Sequence, residues 1–446
     1  MAAVAVFIVL IAVGVVYGLE NQGKGGASAD VYKDLSLISR VNTDGSAIYI
    51  ASEYDPEYFL TVSDTGEVTY KEEHWKGKVF GTPGAGSVQH VLLMDLVKNK
   101  LGLPFVKYDK SAKPSEDAVY YDDSITGSKA AIDNVDILDG GIAGVLAHNN
   151  ILDSGLYREL ATTNILFPGH TCCVMAGSQG YLDKHTDETV RFLAAYIKAV
   201  DYINAAKADH SSEEYAKLIE IATEKTHVSE DLVKKDIDSI VYKYCDRHGS
   251  PDLDTFKKDI SHLAESLIDF GSIKKTMSEL GFDSYSQFAD AFVDNKYLSK
   301  ALDYGSWTGK EKSVIRIAAL ESCTHQIALN VADSLGFFGE YGLEISITYL
   351  ASGAEVAQNL LDGKSDLAFM GASPITIAAV NEGKIHAGEK DPAVNEVSSL
   401  AGSADADGSV RCPPSRYDAD GSIAVPSEGP FTFKPENRGG TVFGTP

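Results

Sequence analysis

The feature that most constrains this chain is a long internal repeat. The segment Gly77–Pro83 (GKVFGTP) recurs as Gly440–Pro446 (GTVFGTP), an offset of 363 residues. The same offset relates Asp44–Ser46 to Asp407–Ser409, and about twenty of the 53 positions from Val31 to Pro83 match without gaps. Such a period is the size of a whole domain, not of a solenoid repeat. We therefore expect one domain in circularly permuted order with a duplicated end, or a piece of a tandem array.

The two copies compete for one place in the fold. The N-terminal copy contains the strand-like run Ser46–Ala51, where the C-terminal copy has Val410–Ser415 with two prolines. Proline cannot donate to a strand ladder. We therefore predict that the N-terminal copy docks and that the tail from about Gly402 is less ordered.

Charge and cysteine usage exclude several classes of protein. The net charge is −25, whereas a nucleic-acid partner requires a basic surface. The number of cysteines is odd and no CxxC pair occurs, so neither a disulfide framework nor a zinc site is predicted. We predict that this protein binds no metal and no cofactor. We predict free thiols at Cys172, Cys173, Cys245, Cys323 and Cys412.

An uncharged apolar run, Ala2–Gly18, lies near the N-terminus. Its length is at the low end for a helix that spans a bilayer. We interpret it as an uncleaved membrane anchor. A cleaved signal peptide or a buried core helix are the alternatives. An anchor or a signal would place the rest of the chain outside the cytoplasm.

Hydrophobic patterning predicts an α/β fold. Strand patterns at Val314–Leu320, Leu343–Tyr349 and Asp366–Phe369 alternate with helical patterns at Ile327–Leu335 and Ala354–Leu361. This order indicates mostly parallel, doubly wound sheets. The division predicted is residues 1–26 anchor and spacer, 27–75 second half of the first lobe, 76–184 second lobe, 185–300 helical hinge region, 301–312 linker, 313–390 first half of the first lobe, and 391–446 a copy of residues 28–83.

Candidate ligand-binding residues lie in loops that follow strands, because open α/β sheets bind ligands at the carboxyl ends of their strands. Glycines and small hydroxyl residues open helices there, and the free N–H groups of a helix start attract an anion. No lysine or arginine lies in these loops, which favours a small oxyanion. The candidates are Ser322, Thr324, His325, Gly371, Ser373, Asp44, Ser46, Thr82, Gly84, Gly86 and Ser87.

Three further residues are candidates for contacts with a ligand or a metal. Asp139 follows the strand-like run Val135–Leu138 and is predicted to bind a ligand. His90 could reach a ligand or face water, and His170 beside the cysteine pair is a minor candidate for a metal. No nucleophile elbow, HExxH or paired-carboxylate motif is present, so no catalytic residue is assigned and no enzyme is predicted.

Several segments carry a family resemblance. Ile315–Leu320, Gly336–Ile345, Gly353–Gly363 and Ser365–Gly371 resemble the opening of nitrate/sulfonate/taurine-type ABC-transporter substrate-binding proteins. Trp75–Ser87 resembles the segment that opens their second lobe. The resemblance implies a two-lobed, periplasmic-binding-protein-like (type II) fold in permuted order. It also implies a small anionic solute held between the lobes and delivered to a permease and an ATPase.

The resemblance places the site on both lobes. The first-lobe loops would be Ser322–His325, Gly371–Ser373 and Asp44–Ser46, and the second-lobe loops Thr82–Ser87 and the region of Asp139. Two alternatives stay open. One is an enzyme similar to thiamine-precursor synthases, which share this fold and use a histidine and a cysteine cluster. The other is a ligand-sensing ectodomain.

Overall fold

The computed structural model describes residues 34–245 and 250–382, and the backbone of residues 410–411 and 432–433. The predicted anchor, Cys412 and nearly all of the predicted C-terminal copy lie outside these residues. Within the described ranges, no helix combines the length and the apolar character that crossing a membrane requires.

The helices and strands follow one another in the order that the patterning indicates for an α/β chain. The strands are β1 (Leu35–Asp44), β2 (Ser46–Ala51), β3 (Leu60–Val62), β4 (Val68–Tyr70), β5 (Val79–Gly81), β6 (Phe105–Lys107), β7 (Val119–Asp122), β8 (Gly140–Gly144), β9 (Tyr157–Thr162), β10 (Thr171–Ser178), β11 (Ile240–Tyr242), β12 (Ser313–Leu320), β13 (Leu343–Leu350), β14 (Leu367–Gly371), β15 (Val410–Arg411) and β16 (Thr432–Phe433). The helices are α1 (Pro56–Phe59), α2 (Val88–Asp95), α3 (Ser128–Asp133), α4 (Val145–Asp153), α5 (Thr163–Leu166), α6 (Gln179–Lys184), α7 (Thr186–Ala208), α8 (Glu213–Thr226), α9 (Glu230–Ser239), α10 (Pro251–Asp269), α11 (Tyr285–Phe292), α12 (Lys296–Ala301), α13 (Ile327–Ser334), α14 (Phe337–Glu340), α15 (Gly353–Leu361) and α16 (Ala372–Asn381).

Two six-stranded sheets define two lobes. The first sheet has the order β11-β1-β10-β14-β12-β13, and the second has the order β6-β7-β5-β8-β2-β9. In the first sheet, β12 is parallel to β13 and β14, whereas β1 and β10 pair antiparallel. In the second, β5 is parallel to β7 and β8, and β2 is antiparallel to β8 and β9. The predicted fold class, α/β with two lobes, is confirmed, but the two sheets are mixed and not mostly parallel, with five parallel and five antiparallel strand pairs.

The first sheet joins distant parts of the chain. Its centre pairs β10 with β14, and β1 lies next to β10. Strands from both ends of the described sequence therefore complete one sheet. The strand β1 comes from the N-terminal copy of the repeat.

Strand β1 is buried along its whole length although six of the ten residues in its sequence, LSLISRVNTD, are polar. Neighbouring strands and helices cover it, so each polar side chain requires a partner. Arg40 is 1% exposed; its Nη1 donates to Asp252 and its Nη2 to Asp259, each at 2.9 Å, and its Nε donates to Thr171. The guanidinium thereby ties β1 to α10.

Three local predictions differ from the structure. Strand β2 (Ser46–Ala51), predicted within the first-lobe segment 27–75, pairs in the second sheet, because a short strand pattern does not say which sheet the strand joins. The run Val135–Leu138 is a turn, and the strand begins at Gly140. The sequence pattern of Asn164–Phe167 predicts a short strand, but these residues lie mostly in α5, because an apolar run this short fits either structure.

Candidate functional site

The chain passes between the lobes at two adjacent places. At Asp44-Gly45 the backbone takes left-handed φ values of 62° and 85° and leads from β1 into β2. The return runs from β9 through α5 to β10. The two connections bond each other: Asp44 N donates to His170 O at 3.1 Å, and Thr163 Oγ1 donates to Ser46 O at 2.8 Å. Two short connections side by side make a hinge geometry.

A cleft lies between the lobes, lined by the starts of α2 and α15 and by one side of α16 from Pro374 to its C-terminal end. Helix α2 of the second lobe starts after its N-cap Ser87, and α15 and α16 of the first lobe start after Ser352 and Gly371. The cleft has a volume of about 490 Å³. It is lined by Pro83, Gly84, Gly86, Ser87, Ser352, Gly353, Ala354, Gln358, Leu361, Pro374, Ile377, Ala378, Asn381 and Glu382.

The cleft offers main-chain donors, not basic side chains. Among the described residues that line it there is no lysine or arginine. The hydroxyl of Ser87 accepts from His90 N at 3.1 Å, and that of Ser352 accepts from Glu355 N at 3.3 Å, so both already cap their helices. Each helix start still presents first-turn N–H groups and the positive end of its dipole. These two helix starts can hold a small anion through neutral donors, although the exposed carboxylate of Glu382 also lines the cleft.

A second, smaller cavity of about 190 Å³ lies in the second lobe. It adjoins the carboxyl ends of β5, β7 and β8 and shares Pro83 with the cleft. Its lining is mostly apolar and consists of Tyr49, Pro83, Gln89, Ile125, Thr126, Gly127, Ala143, Gly144, Ala147 and Ile151.

The lobes also touch beyond the hinge. Ser272 Oγ, after α10, donates to Ala85 O at 3.3 Å, next to the glycine loop of the second lobe. The ring of Phe270 packs on His90 with a centroid distance of 4.4 Å. His262 of α10 contacts Asp95 of α2 at 3.2 Å. The structure therefore shows the two lobes in contact along α10.

Predicted site residues fall into two groups that the structure brings together. Gly84, Gly86 and Ser87 line the cleft, and Gly371 stands opposite Val88, where an added Cβ would lie 3.9 Å from Val88 Cγ2. The second group gathers at the hinge. It comprises Asp44, Ser46, Thr324 and His325.

The side chains of the hinge group form hydrogen bonds with other groups of the protein. His325 Nε2 lies 2.9 Å from Gly45 O, which also accepts from Val145 N. Ser46 Oγ accepts from Gln89 Nε2 at 3.0 Å. Thr324 Oγ1 donates to Asp236 at 3.2 Å and not toward the cleft. These residues fix the geometry of the hinge.

Thr82 and His90 form a buried pair. The Thr82 hydroxyl lies 2.9 Å from His90 Nδ1, and the imidazole packs between Phe105, Tyr121 and Phe270. Burial lowers the pKa of His90 to about 4, so the ring is neutral near pH 7. The two side chains therefore lie in the interior of the second lobe, next to the glycine loop Gly84–Ser87.

Three further predicted residues lie apart from the cleft lining. Asp139 precedes β8 and so lies at its amino end, where it accepts from Lys78 Nζ at 3.0 Å and from the Tyr54 hydroxyl at 2.6 Å. Ser322 is half-buried with a φ of 51°. Ser373 is fully buried, and its hydroxyl has no hydrogen-bond partner within the described part of the chain.

Thiols gather beside the hinge histidine. The Sγ atoms of Cys172 and Cys173 lie 3.9 Å apart, and Cys323 Sγ lies 3.9 Å from His325 Nδ1. Burial lowers the pKa of His325, but the Cys172 and Cys323 thiols raise it, and the net direction is upward. No group of three or more His, Cys, Asp or Glu side chains in residues 34–245 and 250–382 is arranged to hold a metal ion.

Sequence reasoning missed two parts of this region. The start of α15 had a usable signal, because Ser352-Gly-Ala-Glu355 has the form of a capping box and makes one in the structure. Asp236, in contrast, lies in an amphipathic helix and no motif marks it.

Comparison with known proteins gives one family match. Residues 308–402 match the model of the NMT1-like family, a range that contains β12, β13 and β14. No curated protein matches the chain. Among solved structures, the chain is similar to the ligand-binding component of an ABC-type import system from Staphylococcus aureus with zinc bound. The identity is 17%, over 60% of this chain and 75% of that chain, with a TM-score of 0.42.

Proposed function

We propose that this protein is an extracytoplasmic solute-binding protein that closes two lobes on a small anion and delivers it to an ABC importer. One observation carries the proposal. A cleft of ligand size lies between two α/β lobes that are joined by adjacent crossings, and the starts of α2 from the second lobe and of α15 from the first meet in it. The NMT1-like match over part of the first lobe supports the same conclusion.

The chemistry of the cleft favours a singly charged oxyanion. Helix starts stabilise negative charge through their N–H groups and dipoles. The absence of lysine and arginine among the described lining residues fits sulfonate, nitrate or bicarbonate better than a phosphate ester of higher charge. The cleft volume of about 490 Å³ lies within the ordinary range for small ligands.

The proposed contacts are the main-chain groups of Gly84, Gly86 and Ser87 on one side and of Gly353 and Gly371 on the other. Closure would bring the two sides together by rotation at the hinge. An importer role implies a permease and an ATPase as partners. The apolar run 2–18, as an anchor or a signal, would hold or send the protein outside the cytoplasm.

A thermal-shift screen of the full chain in mild detergent tests this proposal. The panel holds alkyl sulfonates, nitrate, bicarbonate, amino acids and phosphate esters. A ligand that binds only the folded state stabilises it by about 2.7 kcal/mol at a hundredfold excess over its dissociation constant. We expect one class of oxyanion to raise the midpoint. No response to any anion would contradict the proposal.

A matched pair of variants locates the site. Ala354 is exposed and lines the cleft, so Ala354→Trp should fill it and abolish the anion-dependent shift. Ala112 is also exposed, but it lies in a surface loop of the second lobe away from the cleft. Ala112→Trp should leave the shift unchanged. An equal loss in both variants would place the anion elsewhere.

A further inference from the structure

Helix α9 touches both lobes. It packs on α8 and on the turn at Thr324–Gln326 in the first lobe, and on α4 in the second. Asp236, in the middle of α9, is completely buried at this junction. It is an acidic side chain at a place where apolar ones would be expected.

The carboxylate of Asp236 takes one hydrogen bond from each lobe. Asn149 Nδ2 of α4 donates to its Oδ1 at 2.7 Å, and Thr324 Oγ1 donates to its Oδ2 at 3.2 Å. Burial raises the pKa of Asp236, and these two bonds and nearby His325 lower it in part. A buried carboxylate is costly unless its oxygens are bonded, so this arrangement holds only while the lobes stay together.

A second contact joins the same two helices but is weaker. Lys235 of α9 and Asp153 of α4 are 3.6 Å apart, and each side chain is more than half exposed. Ion pairs in that setting contribute little. The buried carboxylate is therefore the stronger link between α9 and the second lobe.

We propose that Asp236 is a positioning residue that sets the balance between open and closed lobes. It holds the Thr324–His325 loop, and with it the hinge at Gly45, in register with α4. Its effect on ligand affinity rests on the proposed function, but its effect on closure does not, because the bonds form without a ligand.

Interlobe energy transfer in the full chain tests the proposal. Fluorophores enter through unnatural amino acids at Lys129 in the second lobe and Lys364 in the first, both exposed, which avoids the cysteines. Asp236→Ala should raise the open-to-closed ratio about tenfold or more, from the loss of charged hydrogen bonds. Asn149→Ala removes one of the two bonds from the other side and should shift the ratio in the same direction.

Two variants separate positioning from general damage. Asp236→Asn keeps an oxygen for Asn149 and gains an N–H for Thr324, so it should restore the closed distribution. Asn150→Ala is the matched control, because the Asn150 amide bonds Leu146 O within its own helix. If Asp236→Ala fails to fold by circular dichroism, Asn149→Ala carries the test alone.

The outcomes are distinct. An unchanged ratio in folded Asp236→Ala or Asn149→Ala, or a shift as large in Asn150→Ala, would overturn the proposal. If the ratio shifts but no anion binds the wild type, the solute-binding proposal fails and this one stands. Where the anion does bind, its apparent affinity should fall by the factor by which the closed population falls.

Discussion

Gly45 occupies the tightest point of the hinge, and its replacement by alanine has a calculable cost. The residue has a φ of +85°, and a Cβ built there would lie 2.7 Å from His325 Nε2 and 3.1 Å from Ile240 Cγ1. His325 cannot move away freely, because it is buried and its Nε2 bonds Gly45 O at 2.9 Å. The substitution therefore combines a backbone cost with a steric one.

The expected loss of stability is the sum of three contributions. A non-glycine residue in the left-handed region costs about 1–2 kcal/mol. Forcing an extra methyl group into a packed site costs about 1–3 kcal/mol more, and a disturbed buried hydrogen bond adds about 1 kcal/mol. We expect Gly45→Ala to lower the free energy of unfolding by about 3–6 kcal/mol in total.

Gly66 supplies the control. It has nearly the same φ, +81°, but a Cβ there would meet nothing within 4 Å. Gly66→Ala therefore carries the backbone cost alone, about 1–2 kcal/mol. Urea unfolding followed by tryptophan fluorescence measures both variants. Equal destabilisation within about 0.5 kcal/mol would refute the steric argument and the packing of His325 on the hinge.

Three further predictions concern stability. The pKa of His90 is about 4 in the folded state and about 6.5 in the unfolded state. The folded state is therefore destabilised as the pH falls from 6.5 toward 4, by up to about 1.4 kcal/mol per pH unit. His90→Gln should flatten the pH dependence of the free energy of unfolding in urea between pH 6.5 and 4.5, and an unchanged slope would contradict the burial of that ring. Asp139→Asn should destabilise by about 1–3 kcal/mol because it removes the charge that pairs with Lys78, yet leave anion binding intact, as calorimetry would show. Arg40→Lys should lower the free energy of unfolding, measured by thermal unfolding, by about 1–2 kcal/mol, because an ammonium group cannot bridge both carboxylates of α10. Stability equal to that of the wild type would contradict a stabilising role for the two ion pairs of Arg40.

Periodicity and the repeat predicted much of the fold. The βαβ order after residue 313 appears as β12, α13, β13, α15 and β14, because each run is long enough to show one period. Short runs were ambiguous: Asn164–Phe167 is mostly helix, and Val135–Leu138 is a turn. Pairing partners were not predictable either: β2 is a short apolar run buried at all six positions, and such a run does not say which sheet it joins.

The candidate site was predicted in part. The glycine loop Gly84–Ser87 was identified because glycine and a cap residue before a helix form a local signal. Asp139 was assigned to the wrong end of a strand, since its position depended on the misplaced run before it. Asp236 and Asn149 are 87 residues apart in sequence and meet only through packing, so no local pattern could reveal them.

The way the first sheet is assembled has a consequence for biosynthesis. Strands β2 and β5 to β9 form the second sheet from one continuous stretch of the chain, so that lobe can fold as soon as it leaves the ribosome. The first sheet cannot, because β10 pairs with β14, roughly 200 residues later. Until β14 is made, β10 has an unpaired edge that is open to other chains. A nascent chain stalled before residue 367 should therefore be the form most prone to aggregate and most dependent on chaperones.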